Sequence, residues 1–213
     1  MHSAAARNAD PLCMAFRQRF EKPLLLWEMR HFTEYGIEKR RGHERTVEPD
    51  DLAAIEAGYG LIVTRLASLP PVFTHRDYHA RNLLVRGDDL FVIDFQDALL
   101  GPAVYDLASL LRDSYIDLGG ALIDDMVETY LTERERAGDG PFDRPAFRRD
   151  FDWQCVQRNL KAAGRFGFFD VVKGNPNFLA DIPRTLGYVK KSPKYDELGP
   201  LRRALAIYVP ELN

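Results

Sequence analysis

Cysteine is scarce in this chain, with only Cys13 and Cys155 among 213 residues. Two thiols so far apart exclude a disulfide framework and supply no paired-cysteine zinc motif. Long apolar runs are also missing. None approaches the roughly 20 residues of a membrane helix, and the N-terminus has no apolar signal core, so the expectation is a cytoplasmic protein with no membrane partner. Neither basic nor acidic charge dominates: 29 Lys and Arg stand against 32 Asp and Glu, and a net charge of −3 gives no electrostatic reason to expect nucleic acid. Repeats and low-complexity tracts are absent too, and Ala137-Gly138-Asp139-Gly140-Pro141 is the best candidate for a long flexible loop.

What is present is a composition able to bury a core, 46% hydrophobic and 29% charged, and one concentrated polar motif. His75-Arg76-Asp77-Tyr78-His79-Ala80-Arg81-Asn82 is followed by Ile93-Asp94-Phe95. In H-R-D-x-x-x-x-N the Asp accepts the proton of an attacking hydroxyl and the Asn holds one magnesium, while a later Asp holds both ions. Asp77, Asn82 and Asp94 fit these roles in order. The intervening residues agree. Leu83-Leu84-Val85 and Leu90-Phe91-Val92-Ile93 flank the turn signal Arg86-Gly87-Asp88-Asp89, which predicts a β-hairpin whose outer ends, Asn82 and Asp94, lie together. Mg2+ and ATP are the expected cofactors, since magnesium takes a few side-chain oxygens together with phosphates.

Several protein-kinase marks are missing. Gln96 stands where D-F-G has glycine, no A-P-E follows, and His79 lies two residues after Asp77 where those enzymes usually carry lysine. The pattern H-x-D-x-H-x-x-N, then I-D-F, then Tyr105-Asp106-Leu107-Ala108, resembles the aminoglycoside phosphotransferase and choline kinase superfamily. Within it, Ile93-Asp94-Phe95-Gln96-Asp97-Ala98, Gln157-Arg158-Asn159-Leu160-Lys161 and Leu179-Ala180-Asp181-Ile182-Pro183-Arg184 look most like the anomeric N-acetylmuramate/N-acetylglucosamine kinases of cell-wall recycling. The similarity runs from about residue 20 onward.

The resemblance implies an α+β fold, the mainly α-helical C-terminal lobe of a protein-kinase-like structure with a small hairpin at the catalytic loop. Kinases of this type have a preceding β-rich lobe with a phosphate loop and a lysine. Here the segment before His75 has no G-x-G-x-x-G, and its only lysines are Lys22 and Lys39. Residues 1–213 are therefore expected to form a single lobe, with the nucleotide-binding lobe missing or supplied separately.

Helix signals fill the rest. Asp10-Pro11 reads as a helix start for a region reaching about Arg41, with Pro23 kinking it or starting a second helix. Glu48-Pro49 opens another, whose stripe Leu52, Ile55, Tyr59, Ile62, Leu66 and Leu69 is core and ends before Pro70-Pro71. Further helices are expected near 103–118, 120–137, 145–164, 178–191 and 197–208, with one small sheet.

By resemblance, the catalytic set is Asp77 with His79 and Arg81. His79 would bond near the transferring group, and Arg81 would offset phosphate charge or make an exposed salt bridge. His75 anchors the loop, and Asp106 is either a buttress beneath it or a plain first-turn carboxylate. Asp97 binds metal through water, touches the sugar or caps a turn. Arg158, Lys161 and Arg165, at i, i+3 and i+7, gather on one helix face and could bind a lactyl carboxylate, or form a solvated basic face. Trp153, Phe166, Phe168 and Phe169 serve the core or a sugar. The expected reaction is phosphoryl transfer from ATP to the C1 hydroxyl of an N-acetylated amino sugar. The alternatives are an aminoglycoside, choline or homoserine kinase, or a binding lobe without activity.

Overall fold

A local turn interrupts the helices near the start of the structure, a computed structural model that describes all 213 residues. Helix α1 spans His2–Arg7. The helix expected from Asp10 does not form. Asp10 instead accepts the Leu12 N–H on Oδ1 at 2.8 Å, and this local bond turns the chain. Helix α2 (Lys22–Phe32) starts around Pro23, whose missing N–H is no loss in a first turn, and runs into a π-helical turn at Thr33–Glu38. Helix α3 (Pro49–Ala67) opens at Pro49, and Ile55, Tyr59, Ile62 and Leu66 of its stripe are buried. Strands β1 (Pro71–Thr74), β2 (Leu83–Arg86), β3 (Asp89–Val92) and β4 (Leu99–Pro102) follow. Helices α4 (Val104–Leu111), α5 (Gly120–Arg136), α6 (Arg144–Lys173), α7 (Ile182–Lys191) and α8 (Gly199–Tyr208) complete an α+β chain dominated by helix.

The hairpin forms where its turn signal lies. β2 and β3 pair antiparallel from Leu83↔Val92 to Arg86↔Asp89, and Gly87 turns with φ +62°. A second sheet corrects the expectation of one. β1 pairs antiparallel with β4, from Pro71↔Pro102 to Thr74↔Leu99. The segment at 18–20 lies along β4, Phe20 N–H donating to Leu100 O and Leu100 N–H to Gln18 O, each at 2.9 Å.

Two compact units share the chain. The first comprises Met1–Phe20 and Leu66–Gln154, the second Glu21–Arg65 and Cys155–Asn213, and the divisions fall inside α3 and α6. In the second unit, α6 continues nine residues beyond the expected stop at 164. Gly164 and Gly167 are not helix ends but points of close packing. A Cβ on Gly164 would lie 2.6 Å from the Phe32 Cα, and one on Gly167 would strike the Tyr35 carbonyl oxygen. In the first unit, α4 stops at Leu111 and not near 118. No helix is long and apolar enough to cross a membrane.

Gly167→Ala should lower the unfolding free energy by about 2–3 kcal/mol, because overpacking against fixed backbone outweighs the better helix propensity of alanine. Gly187→Ala, with nothing within 4 Å of the added carbon, should raise it by about 0.5–1 kcal/mol. Urea unfolding midpoints compare the two, and equal stability of Gly167→Ala and the native chain would show that this approach is slack.

Candidate active site

β1 hands the chain directly to the loop that carries the motif. His75 is buried, its N–H donates to Asp106 Oδ2 at 2.7 Å, and the Arg76 N–H donates to Asp106 Oδ1 at 3.0 Å. Asp106 is buried in the first turn of α4, where the helix dipole favours a carboxylate. His75 also donates from Nε2 to the Ile93 carbonyl at 3.0 Å, tying the loop to the exit of the hairpin. Arg76 has φ +75°, an uncommon conformation for a residue with a Cβ, and its guanidinium lies 5.3 Å from the Phe20 ring centre. The half-buried Asp77 follows it.

Asn82 joins the two ends of the motif. Its Nδ2 donates to the Asp77 carbonyl at 2.9 Å and to Asp94 Oδ2 at 3.2 Å, while the Ile93 N–H donates to the Asn82 carbonyl at 3.1 Å. A carbonyl only accepts, so the first bond fixes which amide atom is nitrogen and leaves Oδ1 as a possible metal oxygen. Asp94 is exposed, has φ +68°, and takes a further bond on Oδ1 from Gln96 Nε2 at 2.8 Å. The pair suits magnesium, a hard cation that accepts one or two protein oxygens with the rest from phosphates and water. No group of three His, Cys, Asp or Glu forms a separate metal cage.

The next stretch rests on residues 113–115. The Ala80 N–H donates to Asp113 Oδ2 at 2.8 Å, and the Tyr115 N–H to Asp113 Oδ1 at 2.9 Å. The Tyr115 ring meets His79 edge-on at 5.5 Å, and the exposed Arg81 guanidinium lies 3.5 Å from its centre. Asp97 is exposed in the turn before β4. Behind Asp106 is a cavity of about 320 Å³ lined by His2, Tyr78, Leu110, Tyr130 and Arg134 among others. Burial pushes the Tyr130 phenol up to about 12, and burial followed by the Asp106 charge raises that of Tyr78.

The three cations on α6 belong to the second unit and have different surroundings. Arg158 is buried. Lys161 faces Glu28 at 3.8 Å, and Glu28, buried on α2, also accepts from Gln157 Nε2 at 2.9 Å. Arg165 is exposed and lies over Phe168 and Phe169, 4.8 and 4.9 Å from their centres. Of the aromatic candidates, Trp153 and Phe166 are buried, while Phe168 and Phe169 are partly exposed. Sequence reasoning passed over Asp113, Tyr115 and Glu28. The first two sat inside an expected helix, and nothing in the residues around Glu28 signals its burial.

Asp106→Asn keeps one acceptor but turns a donor toward one of the two loop N–H groups. It should cost about 2–3 kcal/mol, the range for hydrogen bonds to a charged group with one partner left unsatisfied. Amide exchange should quicken at His75 or Arg76, and native protection of both amides would remove Asp106 as their support.

The sequence profile of the phosphotransferase enzyme family matches residues 1–159. The chain is 37% identical over 187 residues to a protein of Neisseria meningitidis serogroup B named N-acetylmuramate/N-acetylglucosamine kinase, covering 85% of this chain and 54% of that one. Proteins of the same name from Pseudomonas aeruginosa and Pseudomonas putida are 32% and 31% identical, over 87% and 85% of this chain and 56% and 55% of theirs. The chain thus spans about half the length of the curated relatives it matches. Among solved structures, the ADP-bound aminoglycoside phosphotransferase APH(2'')-Ib aligns at 20% identity with a TM-score of 0.44, over 78% of this chain and 52% of that one. The chain belongs to the phosphotransferase enzyme family.

Proposed function

We propose that this chain is the catalytic lobe of a kinase that transfers the γ-phosphoryl group of ATP to the C1 hydroxyl of N-acetylmuramate or N-acetylglucosamine. The observation that carries this reading is the Asn82 amide, which links the Asp77 backbone to the Asp94 carboxylate and so gathers a base and two metal oxygens. The names of the relatives support the sugar. In the reaction, Asp77 orients the C1 hydroxyl and takes its proton as the oxygen bonds to the γ-phosphorus. The bond from that phosphorus to the bridging oxygen breaks, and ADP leaves. Magnesium held by Asn82 Oδ1 and Asp94 would offset charge on the phosphates. Positioning and electrostatics supply most of the rate in transfers of this kind.

His79, whose N–H donates to the Asp77 carbonyl at 3.0 Å, and Arg81 are assigned to the transfer, Arg81 to offset phosphate charge. Arg165, exposed over two phenyl rings, is our candidate for the lactyl carboxylate of N-acetylmuramate. Lys161 and Arg158 serve the sugar less directly, given the Glu28 pair and the burial of Arg158. Asp97 is assigned to the sugar side as well. The reading calls for a nucleotide-binding lobe outside residues 1–213. Exposed Leu84, Val85, Leu90, Phe91, Ile93 and Phe95 on and beside the hairpin support a covering lobe there. A cytoplasmic location fits a reaction that consumes ATP.

Phosphorus NMR tests the reading with Mg-ATP and each sugar, using this chain alone and mixed with the N-terminal half of the Neisseria relative. A sugar 1-phosphate should form, and Asp77→Asn should slow it by about 10²- to 10⁴-fold. Absence of product in both arms would make this chain a lobe without activity. Asn82→Ala should raise the magnesium needed for half-maximal rate by about 10- to 100-fold, and an unchanged magnesium titration would take Asn82 out of the metal site.

A further inference from the structure

α4 carries one carboxylate in its first turn and is followed by another just past its last, and both face the catalytic loop. Asp106, in the first turn, holds the N–H groups of His75 and Arg76. Asp113, two residues past Leu111, holds the N–H of Ala80. Asp77 lies between these two anchored points. The second anchor has no evident value to the helix itself. A carboxylate just beyond a helix C-terminus meets the negative end of the dipole, and Asp113 is only 1% exposed, so its charge is also desolvated. Its carboxylate accepts from two backbone N–H groups, one from the loop and one from Tyr115. The bond to Tyr115 N–H closes the turn that sets the Tyr115 ring against His79 and under Arg81. Three consecutive loop residues, 79, 80 and 81, are therefore held by one three-residue segment.

We infer that Asp113 and Tyr115 are positioning residues for phosphoryl transfer: Asp113 fixes the loop downstream of Asp77, and Tyr115 aims the Arg81 guanidinium by stacking. Neither touches the reacting atoms. The role in catalysis rests on the kinase reading above, whereas the clamp itself does not.

Asp113→Asn and Tyr115→Leu test both parts. In Asp113→Asn the Ala80 amide should exchange about tenfold faster or more, as expected for loss of a hydrogen bond to a charged acceptor. Asp117→Asn serves as control, since Asp117 accepts a backbone N–H from Gly119 at 3.2 Å away from the loop, and it should leave Ala80 unchanged. In the phosphotransfer assay Asp113→Asn should lower kcat about tenfold with little change in the KM for ATP. Tyr115→Leu should do the same, and Tyr115→Phe, which keeps the ring, should restore the native rate. Native exchange at Ala80 in Asp113→Asn overturns the clamp. Equal rates for Tyr115→Leu and Tyr115→Phe overturn the stacking role. If Asp113→Asn does not fold, the Tyr115 pair still decides, through the rate or through the Arg81 Nε–H resonance, which the ring should shift upfield in the native chain and in Tyr115→Phe but not in Tyr115→Leu. If the native chain transfers no phosphate either alone or mixed with the N-terminal half of the Neisseria relative, the kinase reading fails, and the exchange and resonance measurements judge the clamp on their own.

Discussion

Two backbone N–H groups, those of His75 and Arg76, end on the single carboxylate of Asp106, and the arrangement of the site depends on that convergence. It holds Arg76 at φ +75°, a conformation that costs on the order of 1–3 kcal/mol for a residue with a side chain. Hydrogen bonds to a charged group contribute roughly 1.5–3 kcal/mol each. Two of them outweigh the strain, so the unusual backbone at Arg76 is maintained by a local cause. Asp94, the other non-glycine residue at positive φ, sits at the far end of the motif and is tied back through Asn82. The two strained positions thus bracket Asp77 and Asn82.

The second unit is organised by a different constraint. Its helices approach so closely that glycine is required at 164 and 167, and it buries the Glu28 carboxylate with Gln157 and Lys161 around it. A buried acid with such partners is a poor source of net stability, because desolvation offsets most of the attraction, yet removing one partner is expensive. Lys161 therefore has a partner within its own unit before any ligand is considered.

Much of the fold and the centre of the site were legible in the sequence because the determinants were local. The Gly87 turn between two apolar runs defined the hairpin, and the hairpin explains why Asn82 and Asp94 meet. The α3 stripe showed its buried face by spacing alone. Where the determinant was remote, the reading failed. The β1–β4 sheet joins four-residue strands with prolines at 71 and 102, segments with no alternation to mark them. The helix expected to end near 164 runs on because Gly164 is a packing position, and the backbone it makes room for, at Phe32, is more than a hundred residues earlier. Asp10 resembled a helix cap, but its side chain satisfied a turn N–H first. Asp113 was hidden because Arg112-Asp113-Ser114 carries no breaker, although the helix ends before it.

The length of α4 has a consequence for how this chain can diverge. Asp106 lies in the first turn of α4, and Asp113 is reached two residues past Leu111 through the non-helical Arg112, at φ −120° and ψ 44°, so the phase in which Leu111 leaves the helix sets where Asp113 begins. One residue inserted or deleted within α4 would swing its exit at Leu111 through about 100° relative to Asp106, and would carry the start of the segment to Asp113 away from the Ala80 amide, whatever the new residue was. Point substitutions along the outer face of α4 leave this phase untouched. Insertions and deletions do not, so the segment 106–113 behaves as a fixed-length spacer whose tolerance is to composition and not to count.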